Sequence, residues 1–396
     1  MTSETYDVLV VGGGPSGATA AHDLARTGKR VALLDRAGRI KPCGGAIPPR
    51  AIRDFAIPDY LLKAKITCAD IISPKGKRVP MPVENGYVGM VDRCEFDEWL
   101  RVRATEAGAE RITGDATALE RDPDGTAVIA FAPKEGPAQR LRARMVILAN
   151  GARSDLARQA IPGQAHPKCV FAYHEIVKVP EDVAARGGYE ATRCDVIYNG
   201  RTSPDFYAWI FPHGDSASIG TGSARKGFSL RGATAEVREQ HGLAGFETIR
   251  REGAPIPMKP LKRWDNGRDV ILAGDTSGVV APASGEGIYY AMLGGRLAAE
   301  AVQMALATGD AAALKSARKR FMKDHGKVFW ILGIMQTFWY RTDWTREHFV
   351  KMCEDKDVQR LTWESYMNKE LVRKDPLAHI KIFFKDMAHL LGLARA

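Results

Sequence analysis

The chain has 396 residues, 45% hydrophobic and 26% charged, enough for two domains around a substantial core. Its formal net charge of +10 and pI near 9.3 call for an anionic partner: nucleic acid, an anionic membrane surface or a phosphorylated substrate. The six cysteines form no C-x-x-C pair and the nine histidines no H-E-x-x-H spacing, so neither a disulfide framework nor a metal is expected.

The first element is an apolar strand, Val8 to Val11, that turns into a helix through Gly12-Gly13-Gly14-Pro15-Ser16-Gly17. Its start near Tyr6 leaves no room for a signal peptide, and a cytoplasmic location is expected. In the spacing G-x-G-x-x-G each glycine has a separate role. Gly12 makes the tight turn, Gly14 lets the backbone approach a pyrophosphate, and Gly17 packs helix on strand. A phosphate then sits at the positive helix end, with Ser16 in the first turn. A second apolar run, Arg30 to Leu34, ends in Asp35, whose carboxylate can accept from an adenosine ribose. An ordinary glycine-rich loop carries the triplet too; the strand, the helix and Asp35 together indicate a dinucleotide, without separating NAD from FAD.

The loop Ile40 to Pro48 contains Pro42-Cys43-Gly44-Gly45, close in sequence to Asp35. Cys43 lies either against the cofactor ring or as a small buried residue in a turn. After a short variable region, Val91 to Leu100 starts a helix with Arg93 at its entrance, placed for a diphosphate. Alternating runs near Thr113 to Leu119, Ala127 to Phe131 and Leu141 to Leu148 return the chain to the nucleotide domain at Ala149-Asn150-Gly151.

Runs Val170 to Val179, Cys194 to Tyr198, Phe206 to Phe211 and Ala217 to Gly222 alternate as a half-buried antiparallel sheet should. In Tyr207-Ala208-Trp209-Ile210-Phe211-Pro212 the alternation puts three aromatic rings on one face, either core or the lining of a hydrophobic channel. The Pro-rich piece Gly253 to Pro260 reads as a linker.

A second fingerprint separates the cofactors. The apolar strand Asp269 to Ala273 delivers Gly274-Asp275, and the turn Ala283-Ser284-Gly285-Glu286-Gly287 opens a long helix from Ile288 to Ala307. Asp275 can accept from a ribityl chain, and the amides at Gly285, Gly287 and Ile288 can face a flavin phosphate or ring edge. NAD needs neither contact, so one FAD held by residues distant in sequence is expected.

Much of the positive charge lies at Lys315, Arg318, Lys319, Arg320, Lys323 and Lys327, just before the apolar run Val328 to Tyr340. That run is short of the about 20 apolar residues a bilayer needs, leaving an interfacial or a buried helix. The tail from Ile380 to Leu393 repeats the mixture of bulky apolar and basic residues. No recognised motif supports nucleic acid. The expected class is α/β: a Rossmann-like FAD-binding domain in two parts (1–165 and 263–310), an interleaved antiparallel-sheet substrate domain (166–262) and a helical C-terminal region (311–396).

These residues resemble the geranylgeranyl reductase family, in its chlorophyll and bacteriochlorophyll branch within the hydroxylase-like FAD superfamily. The likeness rests on Gly12-x-Gly14-x-x-Gly17, Lys41-Pro42-Cys43-Gly44-Gly45-Ala46-Ile47-Pro48, Tyr207-x-Trp209-x-Phe211-Pro212, and Gly274-Asp275 followed by Ser284 to Tyr289. Asn150-Gly151 departs from the Asp-Gly of many hydroxylases. The resemblance implies FAD reduced by NADPH and saturation of three of four C=C bonds of a geranylgeranyl diphosphate or pigment-attached chain. It turns Tyr207, Trp209, Phe211 and Pro212 from core into substrate channel, sets Cys43, Gly44 and Gly45 at the flavin, makes Cys43 then Tyr207 candidate proton donors, and suggests peripheral attachment to a photosynthetic membrane. An aromatic hydroxylase and a noncatalytic isoprenoid or pigment carrier are the rival expectations.

Overall fold

The computed structural model of the chain describes residues 5–36, 41–84, 86–182 and 189–369. They form two compact units, each assembled from three stretches of chain. The first comprises 1–43, 93–169 and 255–329, and the second 44–92, 170–254 and 330–396.

The first unit is built on a seven-stranded sheet. Strands Glu110–Thr113, Val31–Asp35, Tyr6–Val11, Gln139–Leu148 and Val270–Leu272 run parallel in that order. Parallel strands covered on both faces must be apolar throughout, and Val8, Leu9 and Val10 are fully buried. The strand Gln139–Leu148 is long enough to pair twice. Its first half pairs antiparallel with Ala127–Ala132, and its second lies between the first strand and Val270–Leu272. Helices Pro15–Ala25 and Ile288–Thr308 pack on one another through small residues, Gly295 directly over Ser16.

The second unit carries a seven-stranded sheet, ordered Thr248–Pro257, Cys169–Lys178, Ser216–Ser223, Ala208–His213, Arg193–Ile197, Cys68–Ile72 and Arg78–Pro82. One face buries Ile197, Ala208, Ile210, Ala217 and Ile219 with Val237 of the helix Leu230–Gln240. Helices Asp343–Met352 and Lys356–Asn368 also belong here; Arg346 is buried and donates to the carbonyls of Pro204 and Tyr340, while Tyr198 and Tyr340 share a 3.1 Å hydroxyl contact.

Three expectations change. Residues 44–92, expected in the nucleotide domain, form four strands between Leu62 and Val91 that pack with the second unit. The expected linker Gly253 to Pro260 is largely strand, Thr248–Pro257. The helical region expected from residue 311 onward is divided, the unit boundary falling inside the helix Lys315–Trp339 that carries both the basic run and the apolar run. The tail Ile380 to Leu393 lies outside the described residues.

Candidate nucleotide site and aromatic face

The first fingerprint folds as its glycines require. Gly12 takes φ +106°, and a Cβ there would lie 2.5 Å from the Ala149 carbonyl oxygen. A Cβ on Gly17 would lie 1.8 Å from the Gly12 carbonyl oxygen, so strand and helix touch backbone to backbone. Gly14 instead faces open space, and as N-cap of Pro15–Ala25 it offers no side chain to the first-turn amides. Those amides are available to an anion. Gly13, unremarked in the sequence, donates its N–H to Asp35 Oδ1 at 2.9 Å, leaving Asp35 Oδ2 3.6 Å from Arg101.

Both fingerprints meet at Ser16. A Cβ on Gly274 would lie 2.6 Å from Ser16 Cβ, and Gly294 and Gly295 close the same corner. Thr276 stitches the second fingerprint to the end of the neighbouring strand, accepting from Gly151 N–H at 3.0 Å and donating to its carbonyl at 3.1 Å. Among the described residues, the buried Ser16 Oγ and Asn150 Oδ1 have no hydrogen-bond partner. Orphaned polar atoms beside an uncapped helix and an open Gly14 fit a bound dinucleotide.

Asp275 stands at the expected strand end but pairs with Lys41, a cation whose part was not evident from the sequence. Cys169 belongs to the same neighbourhood: burial, then the negative charge of Asp275, pushes its thiol up to about 11. At the head of Ile288–Thr308, Gly287 is the N-cap, Gly285 takes φ +63°, and Glu286 Oε1 accepts from Tyr289 N–H at 2.9 Å. Arg93 is at its helix entrance as expected, yet its fork is turned on Asp97 at 2.7 and 2.8 Å, with the Cys43 thiol as a further partner. Burial works against this cation, and Asp97 and Cys43 overcome it, raising its pKa.

In the second unit, Gly44 lies under the Phe211 ring, a Cβ there being 2.9 Å from it. Gly45, at φ +77°, packs on the Val91 carbonyl and the His213 ring. Tyr207, Trp209 and Phe211 share the sheet face opposite the Ile210 core, Tyr207 stacking on Phe206 with centroids 4.2 Å apart. Pro212 follows at the strand end, buried. No group of metal-ligating residues occurs among the described residues.

The family model for pyridine nucleotide-disulphide oxidoreductases matches residues 6–183. The solved structure of a geranylgeranyl bacteriochlorophyll reductase-like protein from Thermoplasma acidophilum aligns at TM-score 0.83 and 22% identity over 99% of this chain and 100% of that one. A p-nitrophenol 4-monooxygenase from Pseudomonas putida shares the fold at TM-score 0.69 and 17% identity, over 93% of this chain and 99% of that one. Two fingerprints converging on one nucleotide unit within this fold define a flavoprotein oxidoreductase that uses FAD. The geranylgeranyl diphosphate reductase of Rhodobacter capsulatus is 58% identical over 98% of both chains, and that of Synechocystis is 35% identical over 97% of both. The chain belongs to the geranylgeranyl reductase family.

Proposed function

We propose that the protein reduces three of the four double bonds of a geranylgeranyl chain, as its diphosphate or attached to a pigment, with NADPH as electron donor. The observation that carries this reading is the 58% identity, end to end, with the geranylgeranyl diphosphate reductase of Rhodobacter capsulatus. Gly12, Gly14, Ser16, Gly17, Asp35, Asp275, Gly285, Gly287 and Ile288 hold the FAD in this account. In the second unit, Tyr207, Trp209, Phe211 and Pro212 receive the prenyl chain.

The reduced cofactor supplies hydride. An isolated trialkyl alkene has no carbonyl to polarise, so the carbon that receives the proton must gain it as tertiary cation character develops on the other. Cys43 is the proposed donor: its S–H bond breaks, the proton joins the alkene, and Arg93 stabilises the thiolate left behind. Solvent then returns the proton. Tyr207 is the second candidate, and the aromatic faces stabilise the positive charge. Cys43→Ala should lower turnover about a hundredfold with flavin content at the wild-type level; full turnover would remove Cys43 from the chemistry.

The same reading includes a membrane surface, where prenyl substrates collect. On the helix Lys315–Trp339, Trp330, Ile334 and Phe338 repeat every four residues and are 69%, 48% and 40% exposed. Lys315, Lys319, Lys323 and Lys327 are exposed on the preceding turns. An apolar stripe beside basic residues suits anionic lipid. No helix among the described residues is long and apolar enough to cross a membrane. The headgroup is tested by supplying geranylgeranyl diphosphate and geranylgeranylated pigment separately with NADPH or NADH. Mass gain of one prenyl chain identifies the substrate, and no gain with either refutes the proposal.

A further inference from the structure

On the aromatic face of the second unit lies a run of polar side chains, buried at Ser218 and His174 and half-buried at Glu252 and Arg250. Trp209 Nε1–H donates to Ser218 Oγ at 3.0 Å, Ser218 Oγ is 2.8 Å from His174 Nδ1, and His174 Nε2 is 3.0 Å from Glu252 Oε2. Arg250 continues the run, 3.2 Å from Glu252 Oε1 and 3.0 Å from Asp92 Oδ2. An indole N–H only donates and an ionised carboxylate only accepts. His174 therefore gives Nε2–H to Glu252, and with the ring neutral Ser218 gives its own proton to His174 Nδ1.

The local fold is shaped around this run. Gly220 lies opposite Trp209 on one neighbouring strand and opposite His174 on the other. A Cβ at Gly220 would be 2.5 Å from Trp209 Cζ2 and 2.5 Å from His174 Cβ, so only glycine lets the indole lie flat across the middle strand. Serine, histidine and glutamate in this order resemble a hydrolytic triad. Ser218 is wholly buried with its oxygen occupied by the indole N–H, which rules out a nucleophile.

We infer that His174 and Glu252 are positioning residues that act through Ser218 to hold the Trp209 indole in one orientation, and that this orientation governs how far a prenyl chain advances between reductions. The inference rests on the prenyl reading above. Turning the indole over would strand its N–H away from any acceptor, so the hydrogen bond selects one of two flips. Trp209 is then the fixed ring of the aromatic face, and successive double bonds are presented against it.

The experiment uses FAD-loaded protein bearing Ser218→Ala, Ser218→Thr, Glu252→Gln or Trp209→Phe, scored by flavin content, the near-ultraviolet circular dichroism of tryptophan, and the masses of prenyl products. Ser218→Ala should raise the ratio of partly to fully reduced product about fivefold, the factor carried by one neutral hydrogen bond, and change the indole band. Ser218→Thr, which keeps the hydroxyl, should restore both; Glu252→Gln should shift them in the same direction as Ser218→Ala. Adding Ser218→Ala to Trp209→Phe should change nothing further. A wild-type product ladder in flavin-loaded Ser218→Ala and Glu252→Gln, or fully additive effects in the double variant, overturns the inference. Should wild-type protein reduce no prenyl chain, the functional reading fails separately, and an indole band unmoved by Ser218→Ala overturns the network on its own.

Discussion

Single residues divide into those the backbone needs and those the ligand needs, and glycines at the first fingerprint show both kinds. Gly17→Ala would drive a Cβ to 1.8 Å from a carbonyl oxygen, whereas Gly14→Ala adds one in open space. Gly17→Ala should therefore lower the melting temperature of the flavin-free protein and abolish FAD binding. Gly14→Ala should leave that temperature within a degree or two, yet weaken FAD by about tenfold because the Cβ stands where the pyrophosphate approaches. Titrating FAD into both variants checks this, and equal affinity of Gly14→Ala and wild type would contradict it. These roles were legible because spacing alone encodes them. Lys41 beside Asp275 and Cys169 nearby were not, since each is a contact between stretches the sequence does not connect. The Arg93–Asp97 pair is different, its i,i+4 spacing on one helix being a signal the sequence does carry.

At the scale of elements, the central parallel strands were plain in the sequence because strands buried on both faces must be continuously apolar, whereas the mostly exposed edge strand Glu110–Thr113 was not. The prolines of Gly253 to Pro260 suggest a linker, yet most of that piece is the end of the strand Thr248–Pro257. It is an edge strand, as is Arg78–Pro82 at the other end of the sheet, and an edge is where a missing N–H is tolerated. The strand Ala208–His213 ends in a buried histidine whose pKa burial lowers to about 4 from 6.5, Asp92 opposing and His174 and Arg250 adding to the effect. The unfolded chain binds this proton more readily. Its contribution is thus complete above pH about 6.5 and is lost as pH falls toward about 4, by about 3 kcal/mol. Unfolding free energies at pH 6.5 and 4.5 should fall more steeply in wild type than in His213→Asn; parallel profiles would contradict the assignment.

For the molecule as a whole, the α/β class and the interleaving of two units were legible from the return of the chain to a second fingerprint after a strand-rich stretch. The assignment of residues 44–92 was not. Their strands are two to five residues long and pair mainly with one another, and the single strand Cys68–Ile72 joins them to the larger sheet through the distant Arg193–Ile197, a pairing no local pattern announces. Exposure on the long C-terminal helix is likewise invisible to periodicity when Phe329 and Trp339 of the same run are buried. Trp330→Glu with Ile334→Glu should leave stability within about 0.5 kcal/mol while reducing co-sedimentation with anionic vesicles severalfold. Unchanged sedimentation would assign that stripe to some other contact.

The central claim is that reduced flavin in this protein delivers its electrons to a prenyl double bond. The direct measurement is anaerobic: reduce the purified flavoprotein stoichiometrically, add geranylgeranyl diphosphate or geranylgeranylated pigment, and follow flavin reoxidation together with the mass of the prenyl chain. The account predicts reoxidation coupled to a gain of two hydrogens per flavin. Flavin that stays reduced with either substrate and reoxidises only on admitting oxygen would contradict it and favour hydroxylase chemistry.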